Sequence, residues 1–160
     1  MSMKKCILCF AYAAILGVLS FFLGRLLPKR WLHPDKFPFR TYAREEKLWK
    51  ALQIRKWQAK VPDMSSLFKK LMPAKALTQK TAQDLPLMIQ ETCVAELTHG
   101  LLCFAGLALL KIWRGPGGVI LTVIYIVFGN LPFLLIQRYN RPRLQRLLEK
   151  QSSRANRKEA

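Results

Sequence analysis

The chain has 160 residues, room for one modest domain. It is 51% apolar and yet carries 27 Lys and Arg against 9 Asp and Glu, a net charge of +18. A soluble domain seldom combines so much of both, so the way they are segregated along the chain decides the class. The positive charge points to an anionic partner: nucleic acid, anionic lipid or a phosphorylated cosubstrate.

The first element is an apolar run, residues 6–27, preceded by Lys4 and Lys5. A transmembrane helix needs about 20 such residues. The flanks resemble a secretory signal, but no convincing small-x-small cleavage site follows; an uncleaved anchor with its N-terminus outside is expected. Cys6 and Cys9 match the spacing of a metal knuckle, but no second ligand pair lies outside the apolar runs. All four cysteines lie in apolar runs and read as small buried residues rather than a disulfide framework.

Residues 28–90 follow. Trp31, Phe37, Phe39, Tyr42, Trp49 and Trp57 are interleaved with 14 Lys and Arg. Tyr42 to Lys60 favours helix. Leu48, Trp49 and Leu52 share one face, while Ile54, Trp57 and Val61 share another, so two short helices meeting at a bend near Gln53 are expected. Val61-Pro62-Asp63 should end the second. Leu67, Phe68, Leu71 and Met72 beside Lys69 and Lys70 suggest a further amphipathic piece. Aromatic and basic residues on short helices suit a membrane interface; they also suit single-stranded nucleic acid, but beside three apolar runs the interface is the better reading, and no nucleic-acid partner is expected.

Asp84 can cap a helix starting near Leu85, with Pro86 in its first turn. That helix runs into a second span, residues 91–113. A third span covers residues 118–136 and contains Asn130 and Pro132. Arg114-Gly115-Pro116-Gly117-Gly118 joins the two as a tight turn, so they form an antiparallel hairpin. Residues 137–160 form a basic tail: a short charged helix passing into a disordered end from Gln151. The expected architecture is an all-α membrane protein, one membrane domain of three transmembrane helices with short amphipathic interfacial helices. Residues 28–90 and 137–160 hold 22 Lys and Arg; the opposite side holds 4. That side should be cytoplasmic.

At 100° per residue Thr92, Glu96 and His99 share one helix face, with Glu91 to the side. His99 lies about 9 Å inside the second span, and Asn130 returns to about the same depth. Folding the hairpin sets His99 level with Leu131-Pro132, and Glu91 and Thr92 near Tyr139-Asn140. A buried His at this depth is a functional hypothesis: a general base oriented by Glu96, with Asn130 donating to a developing oxyanion. The alternatives are a Glu-His pair that only glues the hairpin, or half of a di-iron Glu-x-x-His motif. Only one such motif exists and His33 is the only other histidine, so no metal is expected. Beyond the span, Arg138, Arg141 and Arg143 stand where phosphates of a lipid or cosubstrate would lie, with Gln137, Tyr139 and Asn140 between them and Pro142 fixing the exit.

Ile54-Arg55-Lys56-Trp57 through Val61-Pro62, Glu91-Thr92-Cys93-x-Ala95-Glu96-x-x-His99, Asn130-Leu131-Pro132-Phe133 and Gln137-Arg138-Tyr139-Asn140-Arg141-Pro142-Arg143 resemble the glycosyl-4,4'-diaponeurosporenoate acyltransferase family. The resemblance covers most of residues 50–145, and the Gln-Arg-Tyr-Asn-Arg string is its most specific part. These are small bacterial membrane proteins, and the named member is assigned the last step of staphyloxanthin synthesis. The resemblance implies a cell-membrane enzyme that moves a fatty acyl group to the sugar hydroxyl of a glycosylated carotenoid or related lipid. Its cosubstrate would be acyl-CoA or another acyl thioester, with no resident cofactor. Its partners would be membrane lipids, a lipid-soluble glycosylated acceptor and an acyl donor. A non-catalytic membrane adaptor, or an enzyme of other chemistry on a lipid or isoprenoid, is the alternative. There is no His-x4-Asp motif and no Asp-His-His-Cys motif to fix a mechanism.

Overall fold

Apolar residues occupy every face of the first run, with no proline inside it, so nothing local interrupts a helix. In the computed structural model, which describes residues 3–61 and 84–159, this run is α1, Met3–Leu26. Its 24 residues reach about 36 Å, enough to cross a hydrocarbon core. Ile7, Leu8, Phe10, Ile15, Val18 and Phe22 are exposed around it, as expected of a helix whose solvent is lipid. Pro28 disfavours helix at Leu27 and ends the element.

After a 3₁₀ turn at Lys29–Trp31 come two short helices, α2 (Glu45–Ala51) and α3 (Ile54–Trp57). They break where the hydrophobic phase shifts: Gln53 adopts φ 49°, the left-handed region. Ile54 is fully buried, whereas Leu48 and Leu52 remain exposed. The expected end of this segment at Pro62-Asp63 and the amphipathic piece around Leu67–Met72 lie outside the described residues.

The long hairpin follows. α4 spans Leu85–Gly106 and continues through a short α5, Leu109–Ile112. Asp84 is the residue before the helix, and its carbonyl accepts from the Met88 N–H; its side chain makes no capping bond. Gly115, at φ 130°, turns the chain, and Pro116 opens α6, Pro116–Val123. A π-helical turn, Ile124–Asn130, leads into α7, Leu131–Glu159. The main helix–helix interface lies between α4 and α7. At Gly106 a Cβ would stand 2.7 Å from Tyr125 Cδ1, so only glycine lets the π turn approach α4 this closely.

The chain is therefore all-α among its described residues, with three helices long and apolar enough to cross a membrane: Met3–Leu26, Leu85–Ile112 and Pro116–Arg157. Two expectations fail. Pro142 does not end the third helix but lies inside α7, and the tail is helical to Glu159 rather than disordered from Gln151. The physical reason is that α7 arrives already nucleated. Leu, Gln, Arg, Glu, Lys and Ala dominate residues 143–159, with neither glycine nor proline, so propagation is cheap. Pro142 only frees the carbonyl one turn back.

Above the hairpin, Leu32 and Phe39 from the first connection pack on Cys93 and Val94 of α4, with Leu27 and Leu97 at the edge. The aromatic-basic segment is thus a cap folded onto α4 and α7 at the level of the conspicuous polar residues.

Candidate functional site

Two polar layers bridge α4 and α7. In the deeper one, His99 Nδ1 lies 3.1 Å from Asn130 Oδ1, and the imidazole stacks on Phe133, with centroids 5.0 Å apart and planes at 14°. This is the depth match expected from folding the hairpin. The asparagine is held in turn. Its Nδ2 donates to the Tyr125 carbonyl at 3.0 Å, a group of the π turn. The carbonyl can only accept, so the amide nitrogen must face Tyr125 and the amide oxygen must face His99. Asn130 Oδ1 then accepts from Nδ1–H of the neutral ring, and the lone pair is left on Nε2. The π turn and Asn130 together select the tautomer that exposes a basic nitrogen away from the asparagine.

The upper layer is built on Glu96, 8% exposed. Glu96 does not orient His99, contrary to the sequence expectation. One of its oxygens accepts from Arg138 Nη1 at 2.6 Å and the other from Arg141 Nη2. A buried carboxylate in a protein with three times as many cations as acids takes the nearest guanidinium, because an uncompensated charge there is costly. Arg141 is fully buried; its Nε donates to Thr92 Oγ1 at 2.9 Å and its Nη1 to the Phe39 carbonyl at 2.6 Å. Arg138 reaches further into the cap. It donates to both carboxylate oxygens of Glu45, at 3.0 and 2.8 Å, and to the carbonyls of Pro38 and Arg40, both at 3.0 Å.

Arg138 and Arg141 therefore face Glu45 and Glu96, and the four charges cancel. Neither arginine offers a free fork to a phosphate, which corrects the second sequence expectation. Arg143 differs: it is exposed, and its guanidinium lies 4.1 Å from the Tyr139 ring centroid. Tyr139 is buried and meets Trp49 edge-on, so the aromatic layer under Arg143 is tied to α2. Gln137 and Asn140 are half-buried on the same stretch of α7. Glu91 pairs with Lys29 at 3.1 Å on the rim. The sequence residues thus separate: His99 and Asn130 belong to one layer, while Thr92, Glu96, Arg138 and Arg141 belong to the other. Glu45 and Tyr125 were missed. Glu45 had a signal, since acids are scarce here and one that opens an amphipathic helix carrying Trp49 stands ready for a cation; the Tyr125 carbonyl had none. Among the described residues no three His, Cys, Asp or Glu side chains converge as a metal site.

This geometry sits in a recognised family. Residues 28–150 match the family model for glycosyl-4,4'-diaponeurosporenoate acyltransferase. The chain belongs to this family. Its relatives include the proteins of that name from Staphylococcus aureus strains bovine RF122 / ET3-1, MRSA252 and USA300. Each is 30% identical over 149 residues, covering 91% of this chain and 88% of the relative. No solved structure matches. Membership makes the chain an enzyme of the acyltransferase type, as the Gln137–Arg143 string led one to expect, and both polar layers fall inside the matched region.

Proposed function

We propose that the protein transfers a fatty acyl group from a thioester to a sugar hydroxyl on a glycosylated carotenoid or related lipid, with His99 as general base. The observation that carries this is the His99–Asn130–Tyr125 chain, which leaves Nε2 of a half-buried imidazole as the proton acceptor. An acceptor hydroxyl against Nε2 would lose its proton as its oxygen attacks the acyl carbonyl. The C–O bond forms, the C–S bond breaks, and the imidazolium returns the proton to the leaving thiolate. Asn130 acts here as the group that orients the base, the part first given to Glu96. Glu96 instead holds the arginines that pin the cap above the site. Arg143, exposed on α7, is the surface left for a donor's phosphates.

The family name supports the acyl-transfer class, and the names of the relatives support the glycosylated acceptor. The charge asymmetry supports a multi-pass arrangement in the bacterial cell membrane, with the N-terminus outside and both the cap and α7's end in the cytoplasm.

Purified protein, labelled acyl-CoA and a membrane extract containing the acceptor, followed by lipid mass spectrometry, form the test. His99→Ala should cut ester formation by about 10²–10⁴-fold, with the protein still folded and helical in detergent at the assay temperature. A variant that still forms the ester at the wild-type rate removes His99 from the reaction.

A further inference from the structure

α1 and α4 do not close against each other along their whole length. Between them runs a groove of about 390 Å³, lined by Leu16, Leu19, Leu23 and Leu26 on one wall and by Thr98, Leu102 and Ala105 on the other. That volume lies in the range of small-ligand sites. Its wall is almost wholly apolar, with two hydroxyls, Ser20 and Thr98; Ser20 donates to the Gly17 carbonyl at 2.7 Å, and Thr98 is the exception. Thr98 is only 8% exposed, and its Oγ1 is buried without a hydrogen-bond partner among the described residues. Helix threonines usually return this hydroxyl to a carbonyl one turn back, as Thr122 does to Gly118 at 2.7 Å. Thr98 does not, so its donor is unspent.

Position adds the second argument. Thr98 immediately precedes His99, and Leu102, one turn further along α4, lies below both. Tyr12 on α1 donates to the Ala105 carbonyl at 2.9 Å and stitches the helices together at the far end. The groove therefore starts at the level of His99, on the neighbouring face of α4, and runs along α4 toward Ala105, into the apolar depth.

We propose that this groove holds the hydrocarbon tail of the fatty acyl substrate, with the acyl carbonyl at its upper end, where a turn about χ1 brings the buried Thr98 Oγ1 round to donate to it. A fatty acyl chain matches the groove in kind: one polar acceptor at the head, and a tail whose walls offer no free donor, since the Ser20 hydroxyl is spent on its own helix. The tail would come to rest with its carbonyl on the His99 side, where an attacking hydroxyl meets it. This rests on the acyl-transfer reading above and adds to it the acyl site and its polar contact.

The probe is palmitoyl-CoA bearing a diazirine within the chain, photolysed with the full-length protein in lipid nanodiscs and mapped by peptide mass spectrometry. Labelling should concentrate on residues 16–26 and 101–105 and be displaced by unlabelled palmitoyl-CoA. Thr98→Val keeps the shape and removes the hydroxyl; it should weaken that displacement about tenfold, the scale of one hydrogen bond, without changing thermal unfolding. Leu102→Trp should block labelling of the groove. Labelling that is not displaced, or that spreads over the outward faces of α1 and α7 as bulk lipid would, overturns the proposal. Displacement unchanged in Thr98→Val overturns the polar contact. If labelling maps to the groove while His99→Ala still forms ester, the base chemistry fails and the groove stands. If turnover dies with His99 while labelling scatters, the groove alone fails.

Discussion

On α4 the residues of the two polar layers, Glu96 and His99, are separated by less than one helical turn, yet the layers behave as opposites. Around Glu96, two carboxylates and two guanidiniums saturate one another and take up the carbonyls of Pro38, Phe39 and Arg40. Around His99, a single chain of two hydrogen bonds ends on a ring nitrogen that it leaves open. A saturated buried network has nothing to offer a substrate; its use is to hold elements together. An unsaturated one is where chemistry can start. Residues three apart on one helix face thus have different work, and neither charge nor burial alone would separate them.

The largest test of that contrast is Glu96→Ala. It strands Arg141 in the interior, and losing one partner of a buried pair costs about 3–5 kcal/mol. Thermal unfolding in detergent, followed through the tryptophans, should show a large drop in midpoint. A variant with wild-type stability and no turnover would return Glu96 to the catalytic layer and dissolve the distinction. Glu45→Gln comes next. It loosens the cap from Arg138, and the lost charge-assisted hydrogen bonds should cost about 1.5–3 kcal/mol in the same measurement, with protease sensitivity rising in residues 33–51. Asn130→Ala probes the other layer. With the tautomer no longer selected, kcat should fall about tenfold, equivalent to roughly 1.4 kcal/mol in the barrier, while KM for the acyl donor stays put. A change in KM alone would make Asn130 a binding residue. The smallest effect belongs to Lys29→Ala at the rim, where the partly exposed pair with Glu91 should contribute about 0.2–1 kcal/mol. A larger loss would mean that the saturated layer extends to the start of the cap.

Much of this was legible beforehand. The three apolar runs, the turn at Gly115, the helix start at Leu85 and the break at Gln53 all follow from local rules of length, phase and backbone preference. The pairing of His99 with Asn130 followed from counting residues away from the turn. What could not be read was the choice of partner for Glu96. Thr92, Glu96 and His99 share a face, so periodicity alone leaves Glu96 free to turn toward either neighbour. The decision was made by α7, which stays helical past Ile136 and so carries Arg138 and Arg141 into reach. The helical end beyond Gln151 was missed for a related reason: composition described that segment as if isolated, whereas a preceding helix had already met the cost of nucleation. The unpartnered Thr98 was invisible because satisfaction of a hydroxyl depends on a rotamer.

The π turn at Ile124–Asn130 has one further consequence. A π turn holds one residue more than an α turn, so it resets the angular phase of everything that follows by about 100°. Asn130 closes that turn, and Arg138 and Arg141 lie downstream on the same rigid rod. The surplus residue is therefore the gear tooth that lets one helix present an amide to His99 and, two and three turns later, two guanidiniums to Glu96. Both layers are indexed to it.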